Sequence, residues 1–103
     1  MSTEHPTYTA GPQARWLLIP DHMIGGLRRY IENGIKPGSF LSAVLSNNLR
    51  DAVEYADDTN YRRIPDYIQF LYNYAPAGSW GSVKNFYSWM EHKGLGWTEV
   101  YQL

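Results

Sequence analysis

The stretch Tyr67-Ile68-Gln69-Phe70-Leu71-Tyr72-Asn73-Tyr74, which follows Pro65 and ends before Pro76, decides the fold of this chain. Apolar side chains recur at helical spacing and form one broad face, made of Ile64, Tyr67, Ile68, Leu71, Tyr72 and Ala75. Phe70 and Tyr74 fall on another side, so this helix is apolar over most of its circumference. Such a helix is either the buried centre of a small helical domain or half core and half binding surface.

Helical spacing and capping residues elsewhere predict an all-α fold, a compact bundle of four to five short helices. We expect these helices near 21–33, 38–46, 49–56, 60–74 and 82–93. The other four helices each have an expected inner face. In chain order these faces are Met23, Ile24, Leu27, Tyr30 and Ile31 in the first helix; Phe40, Leu41, Val44 and Leu45 in the second; Leu49, Ala52, Val53 and Ala56 in the third; and Val83, Phe86, Tyr87 and Met90 in the last.

Several local signals support these helices. Asn48 is expected to cap the third helix and Ser79 or Ser82 the last one, because these side chains accept hydrogen bonds from free backbone N–H groups. Pro65 is expected to start or kink the aromatic helix. The pair Gly25–Gly26 predicts that a neighbouring helix comes close, since glycines otherwise destabilise a helix interior.

The two ends of the chain are expected to differ from its centre. Residues 1–14 are polar and rich in Pro and Gly, which predicts an extended, mobile N-terminal arm. Residues 15–103 are expected to form a single helical domain. In the C-terminal tail Val100 and Tyr101 allow a strand, but a lone strand has no partner, so we expect an ordered tail packed on the helices.

Composition excludes several classes of protein. The chain has 103 residues, of which 44% are hydrophobic and 18% charged, and this balance is typical of one globular domain. A net charge of −1 argues against a whole-domain field for nucleic acid or anionic membrane. The absence of cysteine excludes disulfides and cysteine zinc sites and fits a cytoplasmic protein. No membrane span or signal peptide is expected.

No residue pattern predicts an enzyme, a metal site or a cofactor. His5, His22 and His92 lie in the arm, beside Asp21 and at a helix end, without the spacing of metal ligands. The serines near Trp80 lack the spacing of a hydrolase elbow, and capping explains them. The pair Asp57–Asp58 suits acid–base catalysis, although capping is the ordinary role in such a turn.

The basic doublets Arg28–Arg29 and Arg62–Arg63, each beside a tyrosine, leave two interpretations open. They could hold a nucleic-acid backbone while the rings stack on bases. The favoured interpretation pairs them with acidic residues on a solvated face. Nucleic acid is therefore the alternative partner and not the leading one.

Aromatic residues make up 16% of the chain, and the corner formed by Phe70, Tyr74 and Trp80 is the predicted partner-binding site. These three rings are expected to lie near one another in a partly exposed patch. The other arrangement open to Trp80 is to fold back and hold the last helix against the aromatic one. A short chain with four tryptophans also has apolar surface to spare, so a homodimer is as plausible as a monomer.

Several segments resemble small proteins encoded in tailed-phage and prophage genomes. They are Ile19-Pro20-Asp21-His22-Met23, Gly25-Gly26-Leu27, Tyr30-Ile31-Glu32-Asn33-Gly34-Ile35, Pro37-Gly38-Ser39-Phe40-Leu41, Ala43-Val44-Leu45-Ser46-Asn47-Asn48-Leu49, Ala56-Asp57, Asn60, Phe70-Leu71-Tyr72-Asn73, Pro76 and Trp80-Gly81-Ser82. Related chains often carry Asp at the position of Asn48, and both Asp and Asn can cap a helix. The resemblance implies a phage origin and carries no activity or catalytic residues.

Small phage proteins of this kind often bind a host protein, and some block host defence systems. Together with the absence of catalytic motifs, this leads to the expected function. The chain is expected to be a non-enzymatic phage accessory protein that acts in the host cytoplasm by binding a host protein, with inhibition of a host process or defence system as one consequence.

Overall fold

A computed structural model describes residues 13–95, with side chains from Trp16 onward. The all-α prediction is confirmed, because these residues form six α-helices and two 3₁₀-helices without a strand. The α-helices are α1 (Asp21–Asn33), α2 (Ser39–Leu45), α3 (Leu49–Tyr55), α4 (Asp58–Arg62), α5 (Ile64–Tyr74) and α6 (Val83–Glu91), and the 3₁₀-helices are Gln13–Leu18 and Ala77–Ser79.

The predictions for the two chain ends fall mainly on undescribed residues. Of the expected arm, 1–14, all but Gln13 and Ala14 lie outside the described range, and those two residues begin the first 3₁₀-helix. The tail beyond Leu95 also lies outside it. No helix within 13–95 is both long and apolar enough to cross a membrane.

The predicted caps are present at two helices. The side-chain oxygen of Asn48 accepts a hydrogen bond from the backbone N–H of Asp51 at 3.1 Å at the start of α3. Ser82 Oγ accepts one from the N–H of Asn85 at 3.0 Å and caps α6. Each cap pairs a backbone N–H that has no partner inside the helix. The caps therefore fix where both helices begin.

The helix expected over 60–74 is divided into α4 and α5. Arg63 lies between them with φ −107° and ψ 8°, and Pro65 lies in the first turn of α5. Proline has no N–H to donate to the preceding turn, so it suits a helix start and not a helix interior. Pro65 was expected to start or to kink the aromatic helix, and in the structure it lies at the start of α5.

The core is rich in aromatic rings. Buried hydrophobic residues come from the first 3₁₀-helix, α1, α2, α3, α5 and α6, and Tyr30, Tyr67 and Phe70 are fully buried. Three ring pairs run through it, with centroids 4.7 Å apart for Trp16 and Phe70, 5.1 Å for Phe40 and Tyr67, and 5.5 Å for Tyr30 and Phe86. Such pairs bury large areas in a small volume, which suits a short chain.

The inner face of α5 differs from the predicted one. Tyr67 and Leu71 are buried as expected, but Phe70 replaces Ile68 and Tyr72 on the buried side. Tyr72 is 73% exposed. A phenylalanine ring loses nothing polar on burial, whereas a tyrosine hydroxyl needs a partner in the core. The buried face of α5 therefore includes Phe70 and is rotated away from the predicted face with Tyr72.

The inner faces of α3 and α6 are also partly wrong. On α3 only Ala52 is buried, while Leu49 and Val53 are 66% and 44% exposed. On α6 Trp89 is buried and Tyr87 faces outward. Helix α3 has only seven residues and packs on α2, so its small central residue carries the contact.

The end of α1 packs closely against the end of α6. Gly34 and Gly94 both have left-handed backbone conformations, with φ of 69° and 65°. A Cβ added at Gly94 would lie 2.6 Å from the carbonyl oxygen of Ile31 and 2.7 Å from the nitrogen of Gly34. At Gly26, by contrast, a Cβ would lie 3.7 Å from Leu41, an ordinary contact. The tight approach expected at Gly25–Gly26 is therefore found at a different glycine pair.

Candidate functional site

A cleft of about 370 Å³ opens between the loop that precedes α2 and helices α3 and α6. Two tyrosine rings line it, Tyr55 at the end of α3 and Tyr87 on α6. We call it the tyrosine cleft, and its other principal lining residues are Lys36, Pro37, Ser39, Ser42, Ala43, Asp51, Val83 and Phe86. Tyr55 and Tyr87 are 53% and 57% exposed, so each ring is half inside the cleft wall and half in solvent.

Core contacts hold the α6 wall of the tyrosine cleft in place. The Tyr87 ring packs edge-on against Phe86, with centroids 5.2 Å apart, and Phe86 stacks on buried Tyr30. The Tyr30 hydroxyl donates to the carbonyl oxygens of Ser79 at 2.7 Å and Phe86 at 3.3 Å. Burial raises the pKa of Tyr30, so its hydroxyl stays a neutral donor. The exposed Tyr87 ring thus stands on a rigid base.

The hydroxyl groups in the cleft are mostly occupied by local bonds. Ser42 Oγ donates to the carbonyl of Pro37 at 3.2 Å, and Ser46 Oγ donates to the carbonyl of Ser42 at 2.7 Å. Asn48 Nδ2 donates to an Asp51 carboxylate oxygen at 2.9 Å. No serine in this set is hydrogen-bonded to a histidine or carboxylate base.

The three rings of the predicted partner-binding site differ in their exposure. Phe70 contacts Tyr74, with ring centroids 5.8 Å apart, as expected. Its expected exposure is wrong, because Phe70 is 0% exposed and lies against Trp16. The first 3₁₀-helix covers that side of α5, a contact that α5 itself could not reveal. Phe70 therefore belongs to the core, while Tyr74 and Trp80 remain partly exposed.

Trp80 lines a second recess, of about 280 Å³, together with Leu71 and Tyr72 of α5. Its backbone carbonyl accepts a hydrogen bond from Asn85 Nδ2 at 2.9 Å, which ties it to α6. The ring is half-buried, so it combines features of both arrangements expected for it. It packs against the core and remains partly exposed.

The four candidate arginines are not equivalent. Arg28 pairs with Glu32 at 3.2 Å and lies over the Trp16 ring, 5.8 Å from its centroid. Arg63 is bonded to Asp66 and also donates to the carbonyl oxygens of Leu17 and Leu18 at 3.1 Å and 2.7 Å. Each doublet therefore has one engaged member.

The other arginine of each doublet, Arg29 in the first and Arg62 in the second, is exposed. Within 13–95 neither is in an ion pair. A nucleic-acid contact by all four arginines would require Arg28 and Arg63 to give up their present bonds.

Asp57 acts as a helix cap. Its carboxylate accepts the backbone N–H of Asn60 at 2.7 Å and contacts His22 Nε2 at 3.2 Å. The hydrogen bond from Asn60 is the main cause that lowers the pKa of Asp57; desolvation opposes it, and His22 adds to the lowering. The lowered pKa keeps the carboxylate ionised, which suits its role as the cap of α4.

No cluster of three or more histidine and acidic side chains occurs among residues 13–95. His5 lies outside that range, and His92 is at the C-terminal end of α6.

The chain matches no protein-family model, and no curated protein or solved structure is significantly similar to it.

Sequence reasoning missed Tyr55 and placed Tyr87 in the core. A signal for both was present, since each is a tyrosine on a short amphipathic helix where other apolar residues can fill the inner face. Their meeting in one cleft depends on how α2, α3 and α6 pack, which spacing along the chain does not encode.

Proposed function

We propose that this protein is a non-enzymatic binding module that recognises a host protein through the tyrosine cleft. The observation that carries the proposal is the pair of half-exposed rings, Tyr55 and Tyr87, on opposite elements of one open cleft. Tyrosines at protein interfaces supply large, rigid contact areas and often dominate binding energy. Tyr74 and Trp80, which are partly exposed, are further candidate contacts for the partner.

The chemistry of the cleft also indicates the kind of contact. Lys36 and Asp51 place one charge of each sign on its lining, and the rings supply the apolar surface. A partner segment that lays a flat apolar side chain between the tyrosines would lose little conformational entropy, because a ring has only two rotatable bonds. A protein segment fits this combination better than a charged polymer does.

The host is the proposed source of the partner because the chain resembles phage proteins. A phage accessory protein would act in the host cytoplasm, where binding could inhibit or redirect a host process or defence system. This part of the proposal rests on the resemblance alone and needs its own test.

Affinity capture with matched variants tests the proposal. Nuclease-treated bacterial host lysate is passed over the parent protein, Tyr87→Ala and Tyr61→Ala, and bound proteins are identified by mass spectrometry. Tyr61 is a suitable control because it is 58% exposed and lies outside the tyrosine cleft. We expect a partner bound by the parent and Tyr61→Ala, with binding to Tyr87→Ala weakened by about 2 kcal/mol or more. Equal capture by all three proteins would refute the role of the cleft.

Binding of nucleic acid is the alternative function, and it has less support. Arg29 and Arg62 are the candidate contacts whose side chains form no ion pair within residues 13–95. Retention on DNA or RNA that falls steeply with salt, and falls further in Arg29→Ala and Arg62→Ala, would favour it over the first proposal. No retention at low salt would remove it.

A further inference from the structure

Helix α3 carries an aliphatic surface that the rest of the described chain does not cover. Leu49 and Val53 lie one turn apart and are largely exposed. Beside them Ile64 and Ile68 of α5 line a small, almost wholly apolar recess, together with Leu49 and Ala52. We call Leu49, Val53, Ile64 and Ile68 the α3–α5 face. Apolar surfaces of this kind commonly mark contacts between proteins.

Two opposite charges border this face. Arg50 and Glu54 are exposed, lie one turn apart and follow Leu49 and Val53 by one residue each. Neither forms an ion pair within residues 13–95. On a helix these positions make a charged stripe parallel to the apolar one, positive toward the N-terminus and negative toward the C-terminus.

We propose that two copies of this chain pair through the α3–α5 face, with their α3 helices antiparallel about a two-fold axis. A two-fold axis perpendicular to the helices places each residue of one copy opposite its counterpart at the other end. Leu49 of each copy then meets Val53 of the other, and Arg50 meets Glu54. The apolar stripes and the charged stripes each lie side by side.

Charge complementarity identifies a second copy as the occupant. The stripe of Arg50 and Glu54 is complementary to itself when one helix is reversed, which an isologous interface requires. A parallel arrangement would bring Arg50 against Arg50 and is disfavoured. The tyrosine cleft is not used, because Tyr55 is two residues beyond Val53 and so lies on another side of α3. The pairing is therefore independent of the proposed function.

Reversing the charge of Arg50 or Glu54 tests the pairing, and exposed positions tolerate such substitutions. In Arg50→Glu the pairing would place two acids together at two symmetric points, and in Glu54→Arg it would place two bases together. Either single variant should dissociate with a dissociation constant raised about tenfold or more relative to the parent. A mixture of the two should form a heterodimer, since one copy then supplies only acids and the other only bases. The double variant R50E/E54R should pair like the parent.

Sedimentation equilibrium up to high micromolar concentration measures these states, with Lys84→Glu on exposed α6 surface as the control. Circular dichroism checks that each variant is folded. A dimeric parent and Lys84→Glu, weakened single variants and a restored mixture support the pairing. A monomeric parent overturns it, and so do single variants that pair as tightly as the parent or a mixture that stays dissociated.

Discussion

Replacing Gly94 by alanine should destabilise the protein more than replacement at any glycine with open surroundings. The added Cβ would lie within 2.8 Å of three backbone atoms, in Ile31, Asn33 and Gly34, so the ends of α1 and α6 must separate. The left-handed conformation alone costs an L-residue about 1–2 kcal/mol. With overpacking added, we expect a loss of about 2–5 kcal/mol in the free energy of unfolding. That is a large part of the roughly 5–15 kcal/mol available to a domain of this size.

Two other glycines separate the causes. Gly81 has φ of 102° but no atom within 4 Å of an added Cβ, so Gly81→Ala should show conformational strain alone, about 1–2 kcal/mol. Gly78 has open space and no positive φ, so Gly78→Ala should be neutral or stabilise by up to about 1 kcal/mol. Urea unfolding followed by circular dichroism measures all three. If Gly94→Ala unfolds at the same urea concentration as Gly81→Ala, the close packing of α1 against α6 is wrong.

Three further outcomes can be measured in the same way. Tyr67→Phe should cost about 1–3 kcal/mol, since the Tyr67 hydroxyl donates to buried Asn60 Oδ1 at 2.7 Å; an unchanged stability would contradict that bond. Asn48→Ala should cost about 0.5–2 kcal/mol by removing the cap of α3, whereas Asn48→Asp should retain most of it. Asp57 has a lowered pKa, so its contribution is complete above its ordinary pKa of 3.8 and is lost as pH falls through the lower folded value. The stability gap between parent and Asp57→Asn should therefore close in acid, and a gap that widens there would refute the sign.

The sequence predicted the buried faces of α1 and α2 correctly because each helix has a single apolar stripe. Leu27, Tyr30 and Ile31 of α1 are buried as expected. In α5 two stripes compete, and spacing alone does not choose between the one with Phe70 and the one with Tyr72. The choice follows from contacts with the first 3₁₀-helix, which lies far from α5 along the chain.

The candidate site was harder to predict than the core. The cleft needs Tyr55 and Tyr87 on elements that are separated in sequence and joined through α2. Capping residues give helix ends and stripes give inner faces, but neither gives the angle between helices. Of the predicted partner residues, Phe70 is buried against the expectation, whereas Tyr74 and Trp80 are partly exposed.

A described tyrosine is fully buried where its hydroxyl has a hydrogen-bond acceptor in the core. Tyr30 and Tyr67 are fully buried, and each hydroxyl finds an acceptor there, the Ser79 carbonyl and the Asn60 side chain. The fold must position such acceptors, because burying a tyrosine hydroxyl without a hydrogen-bond partner costs more free energy than burial of the ring contributes.

Phe70 and Leu71 fill the other inner positions of α5, and Phe86 and Trp89 those of α6, whereas Tyr72 and Tyr87 lie outside. A core holds a tyrosine at low cost only where it supplies an acceptor for the hydroxyl. The exposed tyrosines need no such acceptor, because water pairs with their hydroxyls. A chain so rich in tyrosine can therefore supply a binding surface from the same helices that stabilise its fold.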